Sequence, residues 1–79
     1  MVDARDLLEL MAKALVDKPE DVKVEEHEDD GVTVLELHVD PEDVGKIIGK
    51  QGRTVRNLRA ILDAAGEKWS RRFEVEVIE

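Results

Sequence analysis

An α+β two-layer sandwich, with a three-stranded sheet carrying three helices on one face, is the fold the sequence predicts. Three observations lead there. Apolar residues recur at helical spacing in two segments, they alternate with charged residues in three others, and cap or turn chemistry separates the segments. The resulting element order is α-β-β-α-α-β, and its strand alternation calls for one buried and one wet sheet face. A chain of 79 residues leaves no room for a second core, so residues 1–79 are expected to form one domain.

The first helix is expected over about residues 3–17, with Asp3 as its cap and Asp6 in its first turn. Leu7, Leu8, Met11 and Leu15 give its apolar face, and Pro19 is expected to end it. Val22 and Val24 begin a strand that runs to about Glu28, and Asp29-Asp30-Gly31 is a turn. The second strand spans Val32 to Val39, with Leu35, Leu37 and Val39 inward and Glu36 and His38 outward. Asp40 caps a short helix whose first position is Pro41, and that helix runs into Gly45, Gly49 and Gly52. A longer helix starts at Arg53, with Val55, Leu58, Ile61, Leu62 and Ala65 on one face and Gly66 loosening or closing its end. Phe73, Val75 and Val77 alternate with Glu74 and Glu76 in the last strand.

Composition narrows the function classes. There is no cysteine, so disulfides, thiolate metal sites and cysteine nucleophiles are excluded. No apolar run approaches the roughly 20 residues that span a bilayer, and no signal-peptide pattern opens the chain, so a cytoplasmic protein without a membrane partner is expected. The net charge of −8 argues against a nucleic-acid partner until its distribution is considered. Between Gly45 and Arg72 there are eight basic and two acidic residues, a local charge of +6, which leaves −14 for the rest of the chain. Such a chain can hold an anion at one place while repelling polyanions elsewhere.

The glycines fall inside the basic segment, in Gly45-Lys46-Ile47-Ile48-Gly49-Lys50-Gln51-Gly52-Arg53-Thr54-Val55. A Walker A loop needs four residues between its first glycine and the Gly-Lys pair, but here there are three, and Gln51 follows Lys50. A dinucleotide fingerprint follows a strand directly, whereas this segment follows a short helix. Ile48-Gly49-Lys50-Gln51-Gly52 between two helices resembles the signature of the KH domain. The order α-β-β-α-α-β is similar to the type II, prokaryotic KH fold, and the resemblance covers essentially the whole chain. Length and architecture resemble the small bacterial single-KH RNA-binding proteins, the KhpA family.

This resemblance implies a GxxG loop that clamps the backbone of about four nucleotides of single-stranded RNA. Gly49 and Gly52 let a phosphate approach without meeting a Cβ, and the helix from Arg53 points its free N–H groups and positive dipole end at the same place. The RNA-binding residues expected are Lys46, Ile48, Gly49, Lys50, Gln51, Gly52, Arg53, Val55 and Arg56, with bases in a groove of Ile47 or Ile48, Val55 and part of the second strand. The family also implies pairing, either with itself or with a larger KH-containing protein. Its members suggest a role as an RNA chaperone or post-transcriptional regulator.

Other readings of the same residues are blander. The glycines could make only a tight helix-turn-helix. Arg59, Lys68, Arg71 and Arg72 are equally readable as binding or as solvated positions. Trp69 and Phe73, the only aromatics, are expected to pack rather than to stack bases. Glu25-Glu26-His27-Glu28-Asp29-Asp30 reads as a solvated hairpin tip, because strand alternation splits its side chains between two faces, and Glu36 with His38 reads as exposed sheet surface. No metal site, cofactor or catalytic constellation is expected, so the chain reads as a non-enzyme. A protein-interaction module of the same fold, using the acidic remainder, is the alternative function. Duplex binding is disfavoured by the −14 outside the loop segment.

Overall fold

The structure, a computed structural model, describes residues 3–78. Its elements are α1 (Ala4–Leu15), β1 (Lys23–Asp29), β2 (Val32–His38), α2 (Val44–Ile48), α3 (Arg53–Trp69) and β3 (Phe73–Ile78), with 3-10 turns at Pro19–Asp21, Pro41–Asp43 and Lys50–Gly52. The strands form one sheet in the order β1-β2-β3. This is the α+β, KH-like order that the sequence predicts.

The hairpin between β1 and β2 turns on Asp30 and Gly31, both at positive φ (53° and 81°), which matches the right-handed twist of the flanking strands. β2 and β3 are parallel, so a crossover is obligatory, and α2 and α3 supply it. Val24 faces Leu37 and Leu35 faces Val75 on the helix-covered side. Glu25, Glu36 and Glu76 stand in register on the open side. Leu8, Leu35, Leu37, Ile47 and Leu62 are essentially inaccessible at the centre of the core.

The core-facing stripes are narrower than periodicity suggests. In α1 the buried positions are Ala4, Leu8 and Ala12, and in α3 they are Val55, Leu58, Leu62 and Gly66. Leu15 and Ile61, expected on those faces, are 40% and 47% exposed. Three strands at about 4.8 Å spacing span roughly 10 Å, the width of about one helix with its side chains, so each helix flank overhangs the sheet.

Helix ends also depart from expectation. Asp3 caps α1 by accepting the Asp6 N–H at 2.8 Å. The helix stops at Leu15 rather than near residue 17, and Pro19 opens a 3-10 turn instead of ending the helix. The cause is Asp43, whose carboxylate accepts the N–H groups of Asp17 (3.3 Å) and Lys18 (3.0 Å). Gly66 lies inside α3, which continues to Trp69 and closes with Ser70 in the left-handed region. The Arg71 N–H bonds Gly66 O at 2.8 Å, a Schellman closure. A Cβ at Gly66 would sit 2.5 Å from Arg71 O and 3.2 Å from the Phe73 ring, so glycine permits the chain to fold back there.

Asp43 is 1% exposed and ties the start of the α2 region to the end of α1. Burial pushes its carboxyl up, but the Asp17 and Lys18 N–H groups, and then the Lys46 ammonium, outweigh this and hold it below the ordinary value of 3.8. A depressed folded value means stabilisation that is complete above the ordinary value and is lost as pH falls through the folded one. Melting temperatures measured from pH 6 downward should therefore fall more steeply for the wild type than for Asp43→Asn in the region below about pH 4. Parallel curves would contradict the clamp.

Candidate nucleic-acid interface

The glycine-rich segment forms a loop with an unusual backbone. Gly49 has φ 74° and ψ 174°, and Gln51 and Gly52 are successively left-handed, with φ 57° and 73°. The Gly49 N–H closes α2 on Gly45 O at 2.8 Å, and the Gly52 N–H returns to Gly49 O at 3.1 Å. Thr54 packs where a side chain on Gly49 would go: a Cβ there would lie 2.6 Å from Thr54 Cβ and 2.9 Å from its amide nitrogen. The loop is thus folded tightly against the first turn of α3.

No side chain caps α3, whose N-cap is Gly52. The Arg53 N–H bonds Lys50 O within the loop, so the positive dipole end and the later first-turn N–H groups are what α3 offers an anion beside the loop. Lys50 and Gln51 are exposed at the tip. Among the described residues, Arg5, Lys13, Lys18, Lys23, Lys46 and Arg71 each have a carboxylate partner, whereas Lys50, Arg53, Arg56 and Arg59 near the loop, and Lys68 and Arg72 at the far end of α3, have none.

The predicted site residues divide by what holds them. Arg56 donates to Gln51 O at 2.9 Å and Gly52 O at 3.4 Å, so its guanidinium braces the loop from the α3 side. Arg53 reaches Gln51 Oε1 at 3.4 Å. Lys46 instead bridges Asp17 Oδ2 (3.1 Å) and Asp43 Oδ1 (3.5 Å). The hydrogen bond and charge of Asp17, with those of Asp43, raise its ammonium above the usual lysine value. Val55 is only 6% exposed, so of the two apolar groove residues Ile48 offers more surface.

Two strands lie under the helices in different settings. β2 is central, hydrogen-bonded on both sides, while β3 is an edge strand. A cleft of about 270 Å³ runs between α3 and β3, lined by Arg59, Asp63, Phe73, Glu74, Val75 and Glu76. Arg59 donates to the carbonyl of Val75 on that edge at 3.1 Å. Arg56, Arg59 and Asp63 follow each other at i, i+3 and i+7 on α3, so one helix face leads from the loop to the cleft. That spacing was present in the sequence, but nothing in it identified β3 as the neighbouring edge.

Arg71 and the aromatics serve packing. Arg71 donates to Thr33 Oγ1 (2.6 Å) and Glu28 Oε1 (3.2 Å), and lies 5.3 Å over the Phe73 ring. Trp69 and Phe73 meet edge to face, with centroids 6.2 Å apart. No helix among the described residues is long and apolar enough to cross a membrane.

The chain has relatives among known proteins. The family described as the KH domain of KhpA/KhpB matches residues 5–77. The RNA-binding protein KhpA of Halalkalibacterium halodurans is 48% identical over 75 residues, covering 95% of this chain and 99% of that protein. RNA-binding protein KhpA of Aquifex aeolicus is 49% identical, with 95% of each chain covered. Among solved structures, Era in complex with MgGDPNP and nucleotides 1506-1542 of 16S ribosomal RNA is similar with a TM-score of 0.65 and 21% identity. That match covers 94% of this chain but 28% of the Era chain, and it is a likeness of fold.

Proposed function

This chain belongs to the family of KhpA/KhpB KH domains, and we propose that it binds single-stranded RNA through the Gly49–Gly52 loop. The observation that carries the reading is the loop itself, glycine-shaped and set against an uncapped helix N-terminus with lysine and arginine around it. Lys50, the Gln51 side chain and the first-turn N–H groups of α3 beyond Arg53 hold phosphate. Arg56 keeps the loop in its bound shape by holding two of its carbonyls, and Arg53 adds charge beside it. Ile48 with the rim of Val55 supports a base, and Arg59 carries positive charge one turn farther along α3. Lys46 contributes once RNA competes it away from Asp17 and Asp43. The whole chain, 1–79, acts as one such module, in the cytoplasm, without catalysing a reaction. RNA chaperoning or post-transcriptional regulation is the biological role this activity suits.

A family that joins KhpA with KhpB supports a further part of the reading, pairing with a second KH-containing chain. That surface is separable from the loop, because the −14 outside the basic segment keeps RNA from the rest of the molecule.

Fluorescence anisotropy with labelled random single-stranded RNA at a series of salt concentrations tests the reading. Neutralising two to four phosphates gives an expected log–log slope of about −1.4 to −2.8. Affinity should be on the order of micromolar, since so few nucleotides are engaged. Absence of binding by the folded chain at high micromolar concentration overturns autonomous RNA binding.

A further inference from the structure

The open face of the sheet collects groups that the sequence keeps apart. Glu25 of β1, Glu36 of β2 and Glu76 of β3 are direct cross-strand neighbours, a row of three carboxylates across the full sheet. Like charges directly opposite one another destabilise a sheet unless a cation lies between them. Lys23 answers only one end of the row, meeting Glu25 Oε1 at 2.8 Å. Glu76 has no ion-pair partner among the described residues.

Two histidines border the row. His38 lies two residues beyond Glu36 on the same face, and His27 Nδ1 is 3.9 Å from Glu36 Oε1. Nε2 of His38 is buried and has no hydrogen-bond partner among the described residues. Imidazole nitrogen without a partner in a buried position is costly, and a metal ion is one of the few groups that satisfies an unprotonated one. Glu25, Glu36 and His38 each offer one ligand atom, and these three atoms lie within 4.8 Å of one another.

We propose that Glu25, Glu36 and His38 form a divalent transition-metal site on the open sheet face, with Zn²⁺ as the ion that suits it. One imidazole and two carboxylates match the ligand preferences of Zn²⁺ over those of Mg²⁺ or Ca²⁺, which favour oxygen alone. Zinc–ligand distances of about 2.0–2.2 Å require the three atoms to draw in by roughly an ångström. Rotation of the glutamate side chains, 47% exposed at Glu25 and 27% at Glu36, accommodates this. Lys23, 66% exposed, swings into solvent as the ion replaces it on Glu25. His27 borders the site, its Nδ1 3.9 Å from Glu36 Oε1.

Calorimetric titration of ZnCl₂ into the chelator-stripped full chain, in a non-coordinating buffer at neutral pH, tests the site. One Zn²⁺ per chain should bind saturably, with a rise in melting temperature. His38→Gln and Glu36→Gln should each weaken that binding by at least about tenfold while circular dichroism stays unchanged. A two-dimensional NMR spectrum of the wild-type histidines should show the His38 ring nitrogens shifting at stoichiometric zinc, a readout that needs no variant. Absence of saturable binding at millimolar zinc overturns the proposal. So does stoichiometric binding that leaves the His38 ring unmoved and survives both substitutions.

Discussion

Replacing Gly49 by alanine should destabilise the fold by about 2–4 kcal/mol, the largest single-residue effect expected in the glycine segment. Two independent costs add. A non-glycine residue at φ 74° is strained, and the new Cβ meets Thr54, including its amide nitrogen at 2.9 Å, which cannot move without shifting the first turn of α3. The neighbouring glycines separate the two costs. At Gly52 a Cβ meets nothing within 4 Å but φ is +73°, so Gly52→Ala should lose only about 1–2 kcal/mol of backbone strain. At Gly45 φ is unstrained and the space is open, so alanine there should be neutral or stabilise by up to about 1 kcal/mol. Urea denaturation of the three variants with unchanged m-values checks the order Gly49, Gly52, Gly45. Equal effects at Gly49 and Gly52 would show that Thr54 yields freely.

Lys50→Asp combined with Gln51→Asp should leave the fold intact and weaken RNA binding by at least about tenfold at low salt. Both side chains are exposed, and aspartate is among the few non-glycine residues that tolerate the left-handed backbone of position 51. The charge at the tip changes from +1 to −2 beside the α3 N-terminus, where phosphate is proposed to sit. The salt slope should become shallower by about 0.7 for each phosphate that is no longer neutralised. Circular dichroism and melting temperature establish that the variant folds, and anisotropy then reads binding alone. Undiminished affinity in the folded variant would move the RNA site off the loop. Combined with the Gly49 series, this separates residues that shape the loop from those that meet RNA.

Much of this molecule was legible in its residues. Cap chemistry at Asp3 and Asp40, the Asp30-Gly31 turn and the alternation in the strands are local signals, because each satisfies its own backbone within a few residues. The loop was legible for the same reason: Gly49 and Gly52 both adopt the positive φ that glycine allows. Less was visible wherever a distant group intervened. Asp43 takes the N–H groups of Asp17 and Lys18 and ends α1 early, from 25 and 26 residues away. Asp17, together with the same carboxylate, draws Lys46 out of the set of free cations, although its position in the sequence is next to the loop.

Element order, the glycine loop and the concentration of positive charge around it were determined by sequence alone, since periodicity, turn stereochemistry and net charge are properties of short segments. Tertiary structure decided which strand borders the helices, which cations stay unpaired, and which carboxylates share the open face. β3 lies at an edge because its parallel crossover pairs it with β2 alone, and Glu25, Glu36 and Glu76 meet because the register aligns three strands. Pairing across a sheet and competition between distant charges depend on distances that chain spacing does not encode, and only the folded arrangement sets them.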